Sequence, residues 1–168
     1  MRKAICITVA PHPQDRDCTK DMCNSLVGMI LWAQEDDNCF IVARRDFLDA
    51  IGKQRPAGVF NHWKDTFGWG ASPIYLSKNN CSEVKKVKIV TALPGEDPPG
   101  IREAWIGVEI EVVASAFDPF LGCFCLSRTY ALMALALHSP HACSHYMGSS
   151  TEVVGTMLLP ASICEVIS

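Results

Sequence analysis

The sequence contains two similar halves, and this internal repeat limits the fold more than any other feature. Residues 39–56, CFIVARRDFLDAIGKQRP, align without a gap to residues 123–140, CFCLSRTYALMALALHSP. Both segments start with Cys-Phe, carry an arginine at the sixth position and end with a proline. Self-similarity along a chain is typical of a duplicated structural unit. The sequence therefore predicts two tandem copies, residues 1–84 and 85–168, within one compact domain.

The similarity extends in front of these segments at lower density. ITVAP at 7–11 resembles VTALP at 90–94, and Gly28 resembles Gly107. The stretches between these anchors differ in length between the two halves. The front parts of the halves therefore support the repeat less strongly than the back parts do.

Behind these segments the alignment needs two single-residue gaps. The first gap follows the prolines and places His62 over His145. The second gap, at Ser82, places Glu83 over Glu165. Both are pairs of polar residues at matching positions, so they are candidates for a role that the two halves share.

Each half is predicted to contain three strands, a helix and a last strand. Residues 105–113, WIGVEIEVV, alternate between apolar and acidic side chains, which is typical of a strand with one buried face. The predicted strands cover residues 3–9, 25–33, 39–44 and 73–77 in the first half and 87–93, 105–113, 123–128 and 156–160 in the second, with helices at 46–54 and 130–138. The fold class is therefore α+β, with two β-β-β-α-β units sharing a core in a pseudo-twofold arrangement.

The two predicted helices differ in their apolar surface. The first alternates charged and apolar residues, whereas the second is apolar nearly all round from Tyr130 to Leu137. A helix of this kind must be covered on most sides, because large exposed apolar patches are rare on monomers. We expect the other copy to cover it, and a homodimer is the alternative.

The composition restricts the classes of partner. The net charge is −3, and affinity for nucleic acid comes mainly from lysine and arginine neutralising phosphates. The apolar runs AICITVA and YALMALAL are far shorter than the ~20 residues that span a bilayer. The sequence therefore predicts a cytoplasmic protein that binds neither nucleic acid nor membrane.

The nine cysteines are predicted to be reduced core residues. Their number is odd, and no pair has the CxxC spacing of a zinc ribbon. Free cysteine is among the most buried residue types. No disulfide framework and no cysteine-bound metal is expected.

A dense cluster of polar residues, HSPHACSHY, occupies positions 138–146. His138, His141 and His145 have the i, i+3, i+7 spacing that would place them on one helix face, and three imidazoles can hold catalytic zinc. However, Pro140 interrupts the helix, and no HExxH motif or carboxylate partner is nearby. We therefore expect a polar helix end without metal or cofactor, and a zinc site in the second half alone is the alternative.

The matched histidines His62 and His145 each precede an aromatic residue, Trp63 or Tyr146. One interpretation is a buried histidine hydrogen-bonded beside a packed ring. The other is a pair of related sites in which histidine acts as acid, base or ligand. These four residues are therefore candidate site residues.

Two arginines, Arg44 and Arg128, are predicted to end the third strand of each half. Glu83 and Glu165 follow the predicted last strand. A right-handed crossover would make those two strands parallel, so both residues of each half would lie at the same end of the sheet. We expect an Arg–Glu ion pair in each half, and an anion-binding arginine is the alternative.

The segment HWKDTFGWGASP, residues 62–73, is predicted to be an aromatic loop. It contains Trp63 and Trp69 together with two glycines. Loops of this composition often carry recognition. Trp63 and Trp69 are therefore candidate binding residues, although tryptophans packed beneath their own loop are common.

These features favour a binding or accessory module. Its small-molecule ligand or protein partner would lie in the cleft between the copies or on the loop 62–73. The alternative is a small hydrolase or isomerase that uses His62 or His145 with nearby carboxylates or Cys143. No phosphate-binding loop, nucleophile elbow or dinucleotide fingerprint is present, so the sequence leaves open whether the protein is an enzyme.

Overall fold

The computed structural model describes residues 2–10, 19–93, 103–112, 116–141 and 155–167. Within these ranges the chain is a mixed α+β protein with four α-helices and three antiparallel sheets. The chain divides into two units, which are Met1–Val84 with Phe117–Gly122 and Lys85–Ala116 with Cys123–Ser168. They are called unit 1 and unit 2 below. The predicted α+β class is confirmed.

Unit 1 contains a five-stranded sheet and three helices. The elements, in chain order, are β1 (Arg2–Ile7), α1 (Lys20–Asn24), β2 (Ile30–Glu35), β3 (Cys39–Val42), α2 (Arg44–Gln54), α3 (Ala57–Phe67), β4 (Ile74–Ser77) and β5 (Cys81–Glu83). The strand order is β4-β3-β2-β1-β5, and every neighbouring pair is antiparallel. The described part of unit 1 therefore contains one strand and two helices more than the predicted β-β-β-α-β.

The expectation that β3 and β4 run parallel is wrong. They are antiparallel neighbours, with Phe40 opposite Leu76. The reason is that two helices, α2 and α3, lie between them in the chain. A single helix returns the chain to the starting end of the sheet, whereas a second helix carries it back again and reverses the next strand.

One face of this sheet and both long helices form the core of unit 1. Strand side chains alternate between the faces, so every second residue of each strand points to the helices. The fully buried members with the largest side chains include Phe47 and Leu48 from α2 and Trp63 from α3. The cluster also contains Ile5, Ile7, Leu31, Phe40, Val42, Ile51, Ile74 and Leu76.

A β-bulge opens strand β2. The N–H of Gly28 donates to the carbonyl of Ile7 at 2.7 Å, and the N–H of Ile7 donates to the carbonyl of Met29 at 3.0 Å. Gly28 and Met29 therefore lie opposite the single residue Ile7. Gly28 has a φ of +93°, which glycine adopts without the clash that a Cβ would create.

Unit 2 contains short strands, a long helix and the same kind of bulge. Its elements are β6 (Lys86–Ile89), β7 (Glu109–Glu111), β8 (Ala116–Asp118), β9 (Cys123–Ser127), α4 (Arg128–His138), β10 (Thr156–Pro160) and β11 (Cys164–Val166); β8 ends in residues assigned to unit 1. The strand orders are β11-β6-β7 and β10-β9-β8. Strand β10 has the bounds predicted from the sequence.

The predicted strand 105–113 is shorter in the structure. A 3-10 turn occupies Glu103–Trp105, and Gly107 has a φ of +91°. The N–H of Gly107 donates to the carbonyl of Ile89 at 2.7 Å, while the N–H of Ile89 donates to the carbonyl of Val108 at 3.0 Å. The regular strand begins only after this bulge, and its alternation of exposed glutamates with buried Ile110 follows the sequence pattern.

Replacing Gly28 by alanine should lower the free energy of unfolding by about 1–3 kcal/mol, because the added Cβ strains a backbone with positive φ. Urea unfolding followed by circular dichroism measures the change. Gly58→Ala is the matched control: its Cβ would meet nothing within 4 Å, and the unfolding free energy should stay constant or rise by up to about 1 kcal/mol. Equal losses in both variants would contradict the bulge.

Candidate functional site

The segment 62–73 is not a loop along its whole length, because α3 continues to Phe67. Trp63 is fully buried, and its ring stacks on Phe67 at 5.2 Å between centroids. Its indole N–H donates to the carbonyl of Met22 at 3.3 Å. Phe60, Trp63 and Phe67 have the i, i+3, i+7 spacing of a helix, and this spacing is the feature of the sequence that indicates α3. Trp63 is thus a core residue in this structure.

The other candidates on this segment are more exposed than Trp63; His62 lies on α3 and Trp69 lies just after its end. His62 is half-buried, and its ring meets the Trp63 ring edge to face at 5.4 Å. Trp69 is 54% exposed and lies 6.4 Å from the ring of Phe60. Exposure therefore leaves Trp69, and part of His62, accessible to a ligand.

Three further candidates, His145, Tyr146 and Cys143, lie outside the described residues. The proposed pairing of His62 with His145 and the alternative hydrolase or isomerase site therefore stay predictions.

Arg44 holds the end of α3 in place. Its Nε donates to the carbonyl of Ser72 at 2.8 Å, and its Nη1 donates to the carbonyl of Phe67. The guanidinium also lies 5.8 Å from the centre of the Phe67 ring. Arg128 is the exposed first residue of α4, and its main-chain N–H donates to the carbonyl of Gly155 at 3.0 Å. Both arginines begin helices and do not end strands as predicted.

The expected ion pair between Arg44 and Glu83 does not form. Glu83 lies in β5, and its carboxylate lies 3.4 Å from the ammonium of Lys3 on the neighbouring β1. The reason is the strand order: β5 pairs with β1 at the edge opposite β4, so β1 and β2 separate Glu83 from β3.

Lys3 also belongs to a small charge network in unit 1. Its ammonium lies 2.7 Å from the carboxylate of Glu35, which Lys78 contacts at 3.1 Å. The hydrogen bonds from Lys3 and Lys78 lower the pKa of Glu35 from 4.5 to about 2. This partly exposed network connects β1, β2, β5 and the turn after β4, but it contains no nucleophile.

Cys6, Cys81 and the half-buried Cys164 are poor nucleophiles. Burial raises the pKa of Cys6 to about 11 and those of Cys81 and Cys164 to about 12. Since the thiolate is the reactive form, these thiols are unreactive near neutral pH.

Unit 2 contains a groove of about 470 Å³ between α4 and strand β7. The sequence did not predict it as a site, although the unusual apolarity of α4 was noted. Its wall from β6, β7 and the bulge consists of Lys86, Gly107, Glu109 and Glu111, and its helical wall consists of Tyr130, Met133, Ala134, Leu137 and His138. We name it the α4–β7 groove.

The helical wall of the α4–β7 groove is an exposed apolar stripe. Leu137 is 91% exposed and Met133 is 63% exposed, and Tyr130 lies on the same side of the helix. Their i, i+3, i+7 spacing places them on one face. Within the described part of unit 2 this face of α4 is open, while Leu132 and Leu135 on the opposite side are buried. The expectation that the other copy covers α4 stays a prediction.

The opposite wall exposes the main chain of an edge strand. The N–H of Val112 donates to the carbonyl of Lys85, and the N–H of Ile89 donates to that of Val108, both at 3.0 Å. Antiparallel pairing alternates, so the main-chain groups of Glu109 and Glu111 point away from β6 and towards α4. The alternating sequence pattern predicted which side chains are exposed but not this open edge.

Tyr130 and His138 contribute polar groups at the two ends of the α4–β7 groove. The hydroxyl of Tyr130 donates to the carbonyl of Glu111 at 2.7 Å. Burial and the nearby Glu111 carboxylate raise the pKa of Tyr130, so the phenol remains a donor at neutral pH. The His138 ring approaches the bulge so closely that a Cβ on Gly107 would lie 3.0 Å from its Cε1.

The described residues contain no cluster of three histidine, cysteine or acidic side chains suited to a metal. His138 and the exposed His141 lie on separate helical segments, because the helix α4 ends at His138. His145 lies outside the described ranges, so the three-histidine set stays untested.

Comparison with models of protein families, with curated proteins and with solved structures finds no match to this chain. Among the helices described, none is long and apolar enough to cross a membrane.

Replacing Glu35 by glutamine should flatten the dependence of stability on pH below 4.5. The pKa of Glu35 is lower in the folded chain, so its stabilising contribution is present above pH 4.5 and is lost as the pH falls towards 2. Urea unfolding at a series of pH values measures this change. Lys78→Gln removes one of the two donors and should give an intermediate curve; a Glu35→Gln curve identical to the wild type would contradict the network.

Replacing Trp63 by phenylalanine should lower the free energy of unfolding by about 1–3 kcal/mol, because it leaves a cavity and removes the hydrogen bond from the indole N–H to the Met22 carbonyl. Thermal unfolding measures the loss. Trp69→Phe, at a 54% exposed position, should change stability by less than about 0.5 kcal/mol. A larger loss of stability in the Trp69 variant than in the Trp63 variant would contradict the assignment of Trp63 to the core and Trp69 to the surface.

Proposed function

We propose that this chain is a duplicated binding protein and that its ligand is held in the α4–β7 groove of unit 2. The observation that carries the proposal is the meeting of an exposed apolar helix stripe with open main-chain hydrogen-bonding groups in one concave site. Binding sites are commonly concave and apolar with a few polar groups that fix orientation. Leu137, Met133 and the Glu109 main chain supply these elements.

Agreement between the strand registers of the two units supports the duplication. Phe40 lies opposite Leu76 in unit 1, and Phe124 lies opposite Leu159 in unit 2. The helices that follow, α2 and α4, have 11 residues each and start at an arginine. Phe40 with Phe124 and the two arginines follow the gapless part of the sequence alignment, and Leu76 with Leu159 follows the alignment after its first gap.

The front parts of the units agree equally well. Each contains a bulge at a glycine with positive φ, Gly28 or Gly107, whose N–H donates at 2.7 Å to an isoleucine carbonyl in the first strand. Those isoleucines, Ile7 and Ile89, lie opposite Cys81 and Cys164. Two units built independently would have no reason to repeat such a bulge and register.

The strand register also corrects the sequence alignment at one place. Cys6 lies opposite Ser82, and its counterpart Lys88 lies opposite Glu165. Ser82 therefore matches Glu165 without a gap, and Glu83 matches Val166. The supposed pair of matched glutamates was an artefact of inserting a gap at Ser82.

The location of the ligand differs from the sequence prediction, which placed it between the copies or on segment 62–73. Trp63 is occupied with core packing, so the accessible part of that segment is reduced to Trp69 and its surroundings. The groove in unit 2 joins apolar and polar groups within one concavity, which favours it over the isolated Trp69 surface.

A screen of small organic compounds by NMR tests the proposal. In a ¹³C-methyl- and ¹⁵N-labelled chain, ligands should shift the Met133 and Leu137 methyl groups and the Glu109 amide together. Leu137→Glu should weaken binding at least tenfold and leave stability nearly unchanged, because this side chain is 91% exposed.

The matched control is Leu158→Glu on β10, a half-exposed leucine outside the groove. It should leave the affinity unchanged. Ligands that shift only the indole resonance of Trp69 would move the site to unit 1, and equal weakening by the two leucine variants would contradict the assignment to the groove.

A further inference from the structure

In unit 1 a glutamine side chain pairs with the start of β2, ahead of the residues that pair with β3. The carboxamide of Gln54, the last residue of α2, accepts a hydrogen bond from the N–H of Ile30 at 3.0 Å. The same carboxamide donates to the carbonyl of Ile30 at 2.8 Å. One side chain thus satisfies a donor and an acceptor of one residue, as a neighbouring strand would.

Among the described residues of unit 2, no side chain pairs with the corresponding main-chain groups in this way. Glu109 follows the bulge as Ile30 does, and it lies opposite Lys88 as Ile30 lies opposite Cys6. The last residue of α4 is His138, which takes the place of Gln54. No described residue forms a hydrogen bond with the N–H or carbonyl of Glu109, and both face the α4–β7 groove.

We propose that the α4–β7 groove recognises a carboxamide, which would bind the Glu109 main chain as Gln54 binds that of Ile30. This inference rests on the proposed function and names its ligand class. The group must present a carbonyl acceptor beside an N–H donor, and a primary amide does so in one plane. Its apolar stem would lie against Met133 and Leu137.

The charges of the groove favour a neutral amide over the two ionised groups of similar size. A carboxylate has no donor for the Glu109 carbonyl and would meet the side chains of Glu109 and Glu111. An ammonium has no acceptor for the Glu109 N–H, and Lys86 would repel it. A site discriminates most strongly against a close analogue that leaves one of its polar groups unpaired, as each of these ions would.

The first test exchanges the two residues between the units. His138→Gln should place a carboxamide on Glu109 and slow hydrogen exchange of the Glu109 amide at least tenfold. The reciprocal Gln54→His should speed exchange of the Ile30 amide by a similar factor. An unchanged Glu109 exchange rate in the His138→Gln chain would overturn the inference. Slow exchange of the Glu109 amide in the ligand-free wild-type chain would also overturn it, because another group would already bond these main-chain atoms. If this protection rises with protein concentration, that group belongs to a second copy of the chain.

The second test compares pentanamide, pentanoate and pentylammonium, which share one apolar stem. We expect pentanamide to bind roughly in the millimolar range, to shift the Glu109 amide, and to bind at least tenfold more tightly than the two ions. His138→Gln should abolish this binding, since the groove then holds its own carboxamide. Retained binding in that variant would overturn the inference.

The outcomes separate the ligand class from the groove itself. If all three compounds shift the Met133 and Leu137 methyl groups equally and leave Glu109 unaffected, the groove binds apolar ligands and only the carboxamide inference fails. If none shifts any groove resonance, while the broader compound screen also gives no ligand there, the proposed function fails too.

Two sources could supply the carboxamide: a free small amide, or a glutamine or asparagine side chain of a peptide. A leucine-glutamine-leucine tripeptide with blocked ends, and its glutamate counterpart, distinguish them. Binding of the glutamine peptide at least tenfold tighter than pentanamide assigns the groove to a peptide partner. Equal affinity assigns it to a small amide, and preference for the glutamate peptide overturns the inference.

Discussion

The main-chain groups of the second strand that no neighbouring strand pairs impose the constraint on which each unit depends. Strand β2 bonds to β1, and β7 bonds to β6, through alternate residues. At Ile30 in β2 and at Glu109 and Glu111 in β7, the remaining N–H and carbonyl groups point towards the helix that follows the third strand. Further along, β2 pairs with β3. Such groups must be paired or hydrated, because an unpaired buried donor or acceptor costs about 1–3 kcal/mol. The helix therefore must bring polar side chains to this edge.

The two units satisfy this constraint differently. Gln54 pairs with both main-chain groups of Ile30, whereas Tyr130 accounts for the carbonyl of Glu111 one alternate residue further along. The first solution closes the edge at the end of the helix. The second pairs the strand at the start of the helix, and at the other end no described residue bonds the main chain of Glu109, which faces the groove. A single difference in residue type, Gln54 against His138, thus distinguishes a purely structural contact from a candidate site.

The sequence predicted most of the elements with clear periodicity, but it missed one long helix that has it. The helix start was predicted two residues late in both units, and β10 was predicted at its observed bounds. Helix α3 was missed because the glycines near Trp69 suggested a loop, although Phe60, Trp63 and Phe67 have helical spacing. That omission also produced the wrong parallel orientation of β4. The ion pair between Arg44 and Glu83 was expected because strand β5, which contains Glu83 and pairs with β1, was not predicted.

By itself the sequence determined the α+β class, the faces of the alternating strands and the correspondence between residues 39–56 and 123–140. These follow from local periodicity and from matching residues, which can be read along the chain. Only the tertiary structure decided that Trp63 is a core residue and that Glu109 faces α4 across a groove. Both depend on hydrogen-bond direction and on the crossing of elements far apart in sequence. Side-chain patterns indicate which residues are buried, but they do not indicate where main-chain donors and acceptors point.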